Sequence, residues 1–144
     1  MIGFIRGIVE EVEDGSLIID RGGIRFQVFV PGGVLGEQYR FGDEVKLYTY
    51  LHVKEDLMQL YGFLTKDDLR VFKLLLNVNG IGPKAAVGVL SGITADELRF
   101  AVLSDDTATL SKAPGIGKKT AQKMILELKD KFSLEDAFEQ KLSN

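Results

Sequence analysis

The stretch Gly80-Ile81-Gly82-Pro83-Lys84-Ala85-Ala86-Val87 returns 35 positions later as Gly115-Ile116-Gly117-Lys118-Lys119-Thr120-Ala121-Gln122. The two copies share the frame G-I-G-x-K-x-A, with a lysine and an alanine at matching positions. Two glycines around one aliphatic residue favour a tight turn, because glycine accepts positive φ at little steric cost. The sequence therefore predicts two glycine hairpins, at residues 80–82 and 115–117, each followed by a helix.

Each glycine hairpin is predicted to present the start of a helix to an anion. The first amides of a helix have no partner within it and carry a partial positive charge. Lys84 in the first copy, and Lys118 and Lys119 in the second, add full charges, although cations are mildly unfavourable at this end of a helix. Two similar anion sites suit a regular polyanion, so the repeat predicts binding to a nucleic-acid backbone.

Two nucleotide-binding motifs resemble parts of this repeat and fit it poorly. Gly80, Gly82 and Ala85 imitate a dinucleotide-binding G-x-G-x-x-A, but that motif follows a strand, whereas residues 67–76 have a helical pattern. The segment 117–120 resembles the end of a P-loop, but Lys119 stands where Ser or Thr must follow the lysine. A single G-x-G is often an ordinary turn between helices, and its repetition with lysines in register favours the anion sites.

The charge is distributed unevenly along the chain. The net charge is −3 overall, but residues 1–63 carry −4, residues 64–132 carry +3 and residues 133–144 carry −2. The positive charge thus lies on the segment with the glycine hairpins, and local charge governs nucleic-acid binding.

Composition excludes several classes of site. There is no cysteine, which suits the cytosol, and one histidine, His52, cannot make a zinc site, so we read it as structural or surface. The sequence contains no run that could cross a membrane, and residues 1–6 do not start a signal peptide. We predict a cytoplasmic protein with no catalytic residues, no metal and no cofactor.

The first part of the chain is predicted to form a small barrel. Asp14-Gly15 and Gly22-Gly23 are hairpin turn signals, and residues 32–43 form a longer loop that has room for one helical turn. Five strands with this excursion after the third fit an OB-fold barrel, with an SH3-like barrel as the alternative. The predicted strands, rich in β-branched and aromatic residues, are 2–12, 16–20, 24–30, 44–53 and 57–63.

From Thr65 onward the hydrophobic period becomes helical. Thr65 and Thr94 begin predicted capping boxes, and Gly92 is a predicted helix end. Ser133 is expected to start a further short helix with Leu134, Phe138 and Leu142 on one face. The other predicted helices are 66–77, 83–91, 95–103, 106–112 and 118–131. We therefore predict a barrel domain at 1–63, an all-α domain at 64–132 and the start of a linker or tail at 133–144.

Adjacent carboxylates are predicted at the tip of the hairpin between the fourth and fifth strands. Glu55 and Asp56 lie between two strand-like runs, at residues 44–53 and 57–63. This pair is either an ordinary solvated turn or a negative probe that repels phosphate. Several such tips converging in a symmetric oligomer would have a much larger effect than one.

In this order and spacing, the motifs resemble the RuvA family, the Holliday-junction-binding subunits of the bacterial branch-migration complex. The resemblance covers roughly residues 1–132. The motifs that carry it are Met1-Ile2-Gly3 with Arg6-Gly7, His52-Val53-Lys54-Glu55-Asp56, Leu60-Tyr61-Gly62-Phe63, Asn79-Gly80-Ile81-Gly82-Pro83-Lys84 and Pro114-Gly115-Ile116-Gly117-Lys118-Lys119-Thr120-Ala121.

The resemblance implies a multidomain β + α protein with an OB-fold barrel followed by tandem helix-hairpin-helix motifs. It implies a homotetramer that holds a four-way junction open and flat, gripping duplex arms without reading their sequence. Glu55 and Asp56 map onto the family's acidic pin at the junction centre. The implied DNA-binding residues are Asn79, Gly80, Ile81, Gly82, Lys84, Gly115, Ile116, Gly117, Lys118 and Lys119, and Lys123 is a plausible addition one turn further along the helix.

The resemblance also implies partners and a cellular role. The family is not catalytic: the hexameric ATPase RuvB drives branch migration and the resolvase RuvC cuts the junction, in recombination, DNA repair and the SOS response to DNA damage. Family members carry a third domain that engages the ATPase, and this sequence stops at Asn144. We expect junction binding from this chain, whereas coupling to the ATPase is in doubt.

Three other functions remain open from the residues. A helix-hairpin-helix repair enzyme, such as a glycosylase, would need a catalytic Asp or Lys in a pocket, for which no second motif exists. A general single-strand-binding OB protein would use aromatic platforms on the barrel, for which Phe26, Tyr48, Tyr50 and Tyr61 are candidates. An interaction module without DNA leaves the repeated lysines unexplained.

Overall fold

The computed structural model describes residues 2–32 and 39–143, with side chains as far as Ser133. The chain divides into two compact units, Met1–Arg70 and Val71–Asn144. The predicted domain boundary at residue 63 lies just before the first helix and stays a prediction, as does the boundary at residue 132. The helical turn suggested for residues 32–43 falls largely on residues outside the described part.

The first unit is a closed five-stranded barrel. Its strands are β1 (Phe4–Glu13), β2 (Ser16–Arg21), β3 (Ile24–Phe29), β4 (Glu44–Lys54) and β5 (Leu57–Phe63). They follow each other around the barrel in the order β1-β2-β3-β5-β4, and β4 pairs with β1 to close it. Among these five pairs of strands, only β3–β5 is parallel. The order and the closure confirm the OB-fold prediction.

The barrel core comes from the inward face of each strand, because side chains alternate between the two faces of a strand. Glycine is required where strands pass closely: a Cβ on Gly62 would lie 2.6 Å from Cγ1 of Val28 and 3.1 Å from Cβ of Leu47. The buried core residues are Ile5, Val9, Leu17, Ile19, Val28, Val30, Val45, Leu47 and Leu60.

The helices are α1 (Lys66–Leu76), α2 (Pro83–Gly92), α3 (Ala95–Leu103), α4 (Thr107–Leu110) and α5 (Lys118–Ser143). The predicted caps are confirmed: the hydroxyl of Thr65 accepts from the amide of Asp68 at 3.0 Å, and that of Thr94 from the amide of Glu97 at 3.1 Å. α2 ends at Gly92, as predicted. No helix of the described chain is both long and apolar enough to cross a membrane.

One predicted helix boundary was wrong. We expected the fifth predicted helix to end near residue 131 and a new one to start at Ser133, but α5 runs unbroken to Ser143. Residues 118–144 contain neither glycine nor proline, so nothing forces the helix to stop. A serine acts as an N-cap only where its own backbone is not helical, and here the helix continues through it. The predicted apolar face of Leu134, Phe138 and Leu142 lies beyond the described side chains.

Candidate nucleic-acid interface

The first glycine hairpin joins α1 to α2. Gly80 has φ of +94°, and the amide of Ile81 donates to the carbonyl oxygen of Val78 at 3.1 Å. The Ile81 side chain is only 5% exposed, so it anchors the turn in the helical core. Gly82 is the N-cap of α2 with φ of −93°, and Pro83 occupies the first turn, where its missing N–H leaves no bond unmade.

The second glycine hairpin joins α4 to α5 with the same geometry. Gly115 has φ of +81°, and the amide of Ile116 donates to the carbonyl oxygen of Ala113 at 3.1 Å. The Ile116 side chain is 3% exposed. The first hydrogen bond of the helix that follows is also repeated. The amide of Ala86 donates to the carbonyl oxygen of Gly82 at 3.0 Å, and the amide of Ala121 donates to that of Gly117 at 2.9 Å.

The repeat extends into the packing on both sides of each turn. Leu75 and Leu110 precede the two hairpins at equal distance in sequence, and both are fully buried. Ala86 and Ala121 follow the two hairpins at equal distance in sequence, and both are also fully buried. The two hairpins also belong to one packed body, because a Cβ on Gly88 of α2 would lie 3.9 Å from the carbonyl oxygen of Pro114.

The first turns of these two helices are electrostatically unusual. α1 begins with Asp67 and Asp68, and α3 with Asp96 and Glu97, which is the arrangement that the helix dipole favours. α2 and α5 have no acidic residue in their first turns. The N-cap of α2 is a glycine that makes no side-chain bond to the first amides. Both helix starts are therefore suited to an external anion.

Lysines take the place of the missing acids. Lys84 lies in the first turn of α2, and Lys118 and Lys119 begin α5. Lys123 follows one turn later in α5, and all four side chains are exposed. An exposed lysine beside a row of helix amides can contact phosphate as a flexible point charge.

The acidic pair forms the tip of the β4–β5 hairpin in the barrel unit. Lys54 pairs with Leu57, so Glu55 and Asp56 make up a two-residue turn. Both side chains are exposed. The short turn holds the two carboxylates at the outermost point of the hairpin.

Family models match both units. Residues 1–62 match the model described as the RuvA N-terminal domain, and residues 72–130 match the SAM-like helix-hairpin-helix tandem. The chain is 56% identical over 143 residues to a protein of Lachnospira eligens named "Holliday junction branch migration complex subunit RuvA", covering 99% of this chain and 69% of that one. The chain belongs to the RuvA family.

Two further relatives carry the same name. A RuvA of Acetivibrio thermocellus is 48% identical over 96% of this chain and 69% of its own length. A RuvA of Ruminiclostridium cellulolyticum is 44% identical over 94% of this chain and 68% of its own length. RuvA membership fits a five-stranded barrel followed by paired helix-hairpin-helix motifs, which is the fold described above.

The structure brings the predicted site residues of the RuvA resemblance into two groups. The hairpin group is Asn79, Gly80, Ile81, Gly82, Lys84, Gly115, Ile116, Gly117, Lys118, Lys119 and Lys123, in the helical unit. The tip group is Glu55 and Asp56, in the barrel unit. Within the hairpin group, Ile81 and Ile116 are buried, so only their backbone can face a ligand. Asn79 is exposed next to Gly80.

Of the four aromatic residues proposed as platforms for a single strand, Phe26, Tyr48 and Tyr50 are half-buried. Tyr61 is buried, its hydroxyl donates to Oε1 of Gln59 at 2.9 Å, and burial raises its pKa. The ring of His52 lies against Tyr50 and edge-on to Tyr61, with centroids 6.4 and 6.5 Å apart. His52 is therefore part of an aromatic cluster on the barrel wall.

Sequence reasoning missed one signal that was present in the chain. The first turns of α1 and α3 are acidic, whereas those of α2 and α5 carry lysine. This contrast can be read from the sequence once the helix starts are known. The described residues also contain no cluster of three or more His, Cys, Asp or Glu that could hold a metal ion.

Proposed function

We propose that this protein binds four-way Holliday junction DNA and holds it open and planar for branch migration. The observation that carries the proposal is the pair of equivalent helix starts, after Gly82 and Gly117, which lack acids and bear lysines. The names of its relatives, subunits of a Holliday junction branch migration complex, support it.

In this proposal the two glycine hairpins hold the phosphates of duplex arms. Helix amides and the lysines Lys84, Lys118, Lys119 and Lys123 neutralise backbone charge. Contacts of this kind fix position and carry no base sequence, so binding is independent of sequence. Each neutralised phosphate contributes a salt slope of about −0.9, which makes binding steeply salt-dependent.

The acidic tip supplies the preference for a junction. Glu55 and Asp56 repel phosphate wherever continuous duplex would cross the centre. At about 6 Å, one such charge pair is worth about 0.7 kcal/mol in water and about 3 kcal/mol at an effective dielectric constant of 20. Four tips converging in a homotetramer multiply the effect, and a junction with an open centre avoids it.

The protein itself is proposed to carry out no chemistry. ATP hydrolysis would belong to the partner RuvB, and junction cleavage to RuvC, as the family resemblance implies. The proposal places the protein in the cytoplasm with its DNA. The helix-hairpin-helix repair enzyme and the single-strand-binding barrel gain no support from a specific contact in the described residues.

The test is a gel-shift comparison of a synthetic four-way junction, a linear duplex and a single strand of matched sequence at two salt concentrations. We expect strong preference for the junction, weakening steeply with salt. Equal affinity for all three would leave a generic backbone binder. Preference for the single strand would indicate that the barrel carries the DNA-binding surface.

A further inference from the structure

The two glycine hairpins have the same backbone shape but different sets of hydrogen-bond donors. In each helix that follows, the first bond comes from the fourth helical residue, Ala86 or Ala121, and ends on the carbonyl oxygen of the preceding glycine, Gly82 or Gly117. The amides of the first three residues therefore have no partner within the helix. A glycine has no side chain that could cap them, so these amides are open to a ligand.

Proline removes one of these amides after the first hairpin. α2 begins with Pro83, which has no N–H, so its start offers the amides of Lys84 and Ala85. α5 begins with Lys118, so its start offers three amides, at residues 118–120. In the part of the chain that the structure describes, none of these five amides donates a hydrogen bond.

The second hairpin has its proline in a different place. Pro114 precedes Gly115 in the turn, at the position that Asn79 occupies in the first hairpin. Each hairpin thus lacks one amide, but the first lacks it at the start of the helix and the second lacks it in the turn. The amides at a helix start point along the helix axis and form the positive end of its dipole. The second hairpin therefore keeps its donors where an anion is attracted most strongly.

The side-chain charges differ in the same direction. The first turn of α2 contains one lysine, Lys84, whereas α5 begins with Lys118 and Lys119, and neither first turn contains an acid. All three lysines are exposed. A phosphate at the start of α5 is thus offered three amides and two lysines, compared with two amides and one lysine at the start of α2.

We propose that the second glycine hairpin holds backbone phosphate more tightly than the first, and that residues 83 and 118 set the difference. This inference rests on the proposed function, in which both hairpins bind the backbone of duplex arms. It ranks the two contacts and adds no further site. A single phosphodiester binds several-fold more tightly at the start of α5 than at the start of α2.

Residues 83 and 118 occupy the same position in the repeat, so they can be exchanged. Pro83→Lys gives the first helix start the donors of the second, and Lys118→Pro gives the second helix start those of the first. The first position of a helix accepts either residue, because its amide has no partner in the helix and proline has a helical φ. The double variant keeps the composition and the net charge of the wild type.

Backbone amide NMR ranks the two hairpins directly. The probe is a thymidine dinucleotide, whose single phosphodiester reports on each hairpin separately. We expect the amides of residues 118–120 to shift with a dissociation constant several-fold lower than that of residues 84 and 85. In the double variant this order should reverse, which a merely structural effect of proline would not produce. The amide of Leu98, which donates to the carbonyl oxygen of Thr94 in α3, is the internal reference.

Salt titrations of linear duplex binding supply the second readout. Lys118→Pro should weaken binding several-fold and make the slope of log K against log salt concentration shallower by about 0.9, since one phosphate contact is lost. Pro83→Lys should strengthen binding and make the slope steeper by about 0.9, and the double variant should have the slope of the wild type. Weaker binding by Pro83→Lys, or an unchanged slope for Lys118→Pro, would contradict the proposal.

The outcomes separate this inference from the proposed function. If gel shifts show preference for the junction but the dinucleotide binds both hairpins equally, the ranking is wrong and the junction proposal stands. If the dinucleotide prefers the second hairpin but junction and duplex bind equally, the ranking stands and the junction proposal falls. If the dinucleotide shifts the amides of neither hairpin, the ranking and the proposed phosphate contacts are both wrong.

Discussion

Ile81 and Ile116 occupy the same position in two hairpins that are 35 residues apart. Each amide donates to the carbonyl oxygen three residues earlier, Val78 or Ala113, at 3.1 Å, and each side chain is buried. The turn is thus fixed from both sides, by a main-chain bond and by an apolar anchor. The glycines on either side need only supply the backbone shape and leave the helix amides uncovered.

Gly80→Ala is expected to destabilise the protein, whereas Gly82→Ala is expected to be tolerated. A Cβ added at either site would meet no neighbouring atom within 4 Å, so crowding is the same for both. Gly80 has φ of +94° and Gly82 has φ of −93°, so only the first substitution forces a side chain into a strained backbone. The free energy of unfolding in urea should fall by about 1–2 kcal/mol for Gly80→Ala. Equal losses in the two variants would show that the backbone angle is not the cause.

Lys84→Ala and Lys119→Ala are each expected to flatten the salt dependence of junction binding. Loss of one phosphate contact should reduce the slope of log K against log salt concentration by about 0.9. The measurement is a salt titration of junction affinity. Lys73→Ala is the control, since Lys73 is exposed in the last turn of α1, away from either glycine hairpin in sequence. An unchanged slope would remove the lysine concerned from the contacts.

Glu55→Gln combined with Asp56→Asn is expected to raise affinity for linear duplex and so to reduce the ratio of junction affinity to duplex affinity. Removal of the two charges abolishes the repulsion of backbone phosphate, worth about 0.7–3 kcal/mol per close pair. Duplex and junction affinities should be measured side by side at low salt. If duplex affinity stayed the same or fell, the repulsive role of the tip would be rejected.

A second hairpin tip supplies the control for this experiment. Glu13 and Asp14 lie at the β1–β2 turn, where Glu13 pairs with Ser16, and both are exposed. Glu13→Gln with Asp14→Asn changes the net charge by the same amount at a different place in the barrel. A similar gain in duplex affinity in this variant would mean that net charge, and not the position of the tip, controls binding.

Asp106→Asn is expected to remove a pH-dependent part of the stability. The hydroxyl of Thr109 donates to the Asp106 carboxylate at 2.6 Å and the Thr109 amide donates at 3.1 Å, and these bonds lower the pKa of Asp106 below 3.8. A lowered carboxylate pKa gives stability that is present above the unfolded value and is lost as pH falls through the folded value. The stability difference from wild type, measured in urea, should therefore shrink below pH 3.8. A difference that is constant with pH would assign the effect to hydrogen bonding alone.

Much of this fold was predictable because its signals are local. Asp14-Gly15 and the Glu55-Asp56 tip both form two-residue turns between paired strands, as their sequences indicate. The caps at Thr65 and Thr94 also follow from short-range chemistry. The glycine hairpins were visible because glycine, buried isoleucine and lysine recur at one spacing.

The remainder depends on contacts that are distant in sequence. The parallel β3–β5 pair closes the barrel across a long connection, and hydrophobic alternation within either strand does not specify its partner. That pairing is limited to Val28 with Leu60 and Phe29 with Tyr61, and nothing in the sequence of either strand indicates it. The length of α5 was missed because Ser133 was read as a cap, although no glycine or proline interrupts the helix.

The two glycine hairpins bury their only large side chains, Ile81 and Ile116, and expose main-chain amides beside flexible lysines. A surface of this kind has nothing with which to tell one base pair from the next. In the proposed mode of binding, a duplex arm that advances by one base pair would meet the same free energy as before, so no position along the DNA would be strongly preferred. The protein would then hold the duplex arms tightly while offering little resistance to their movement along the DNA axis.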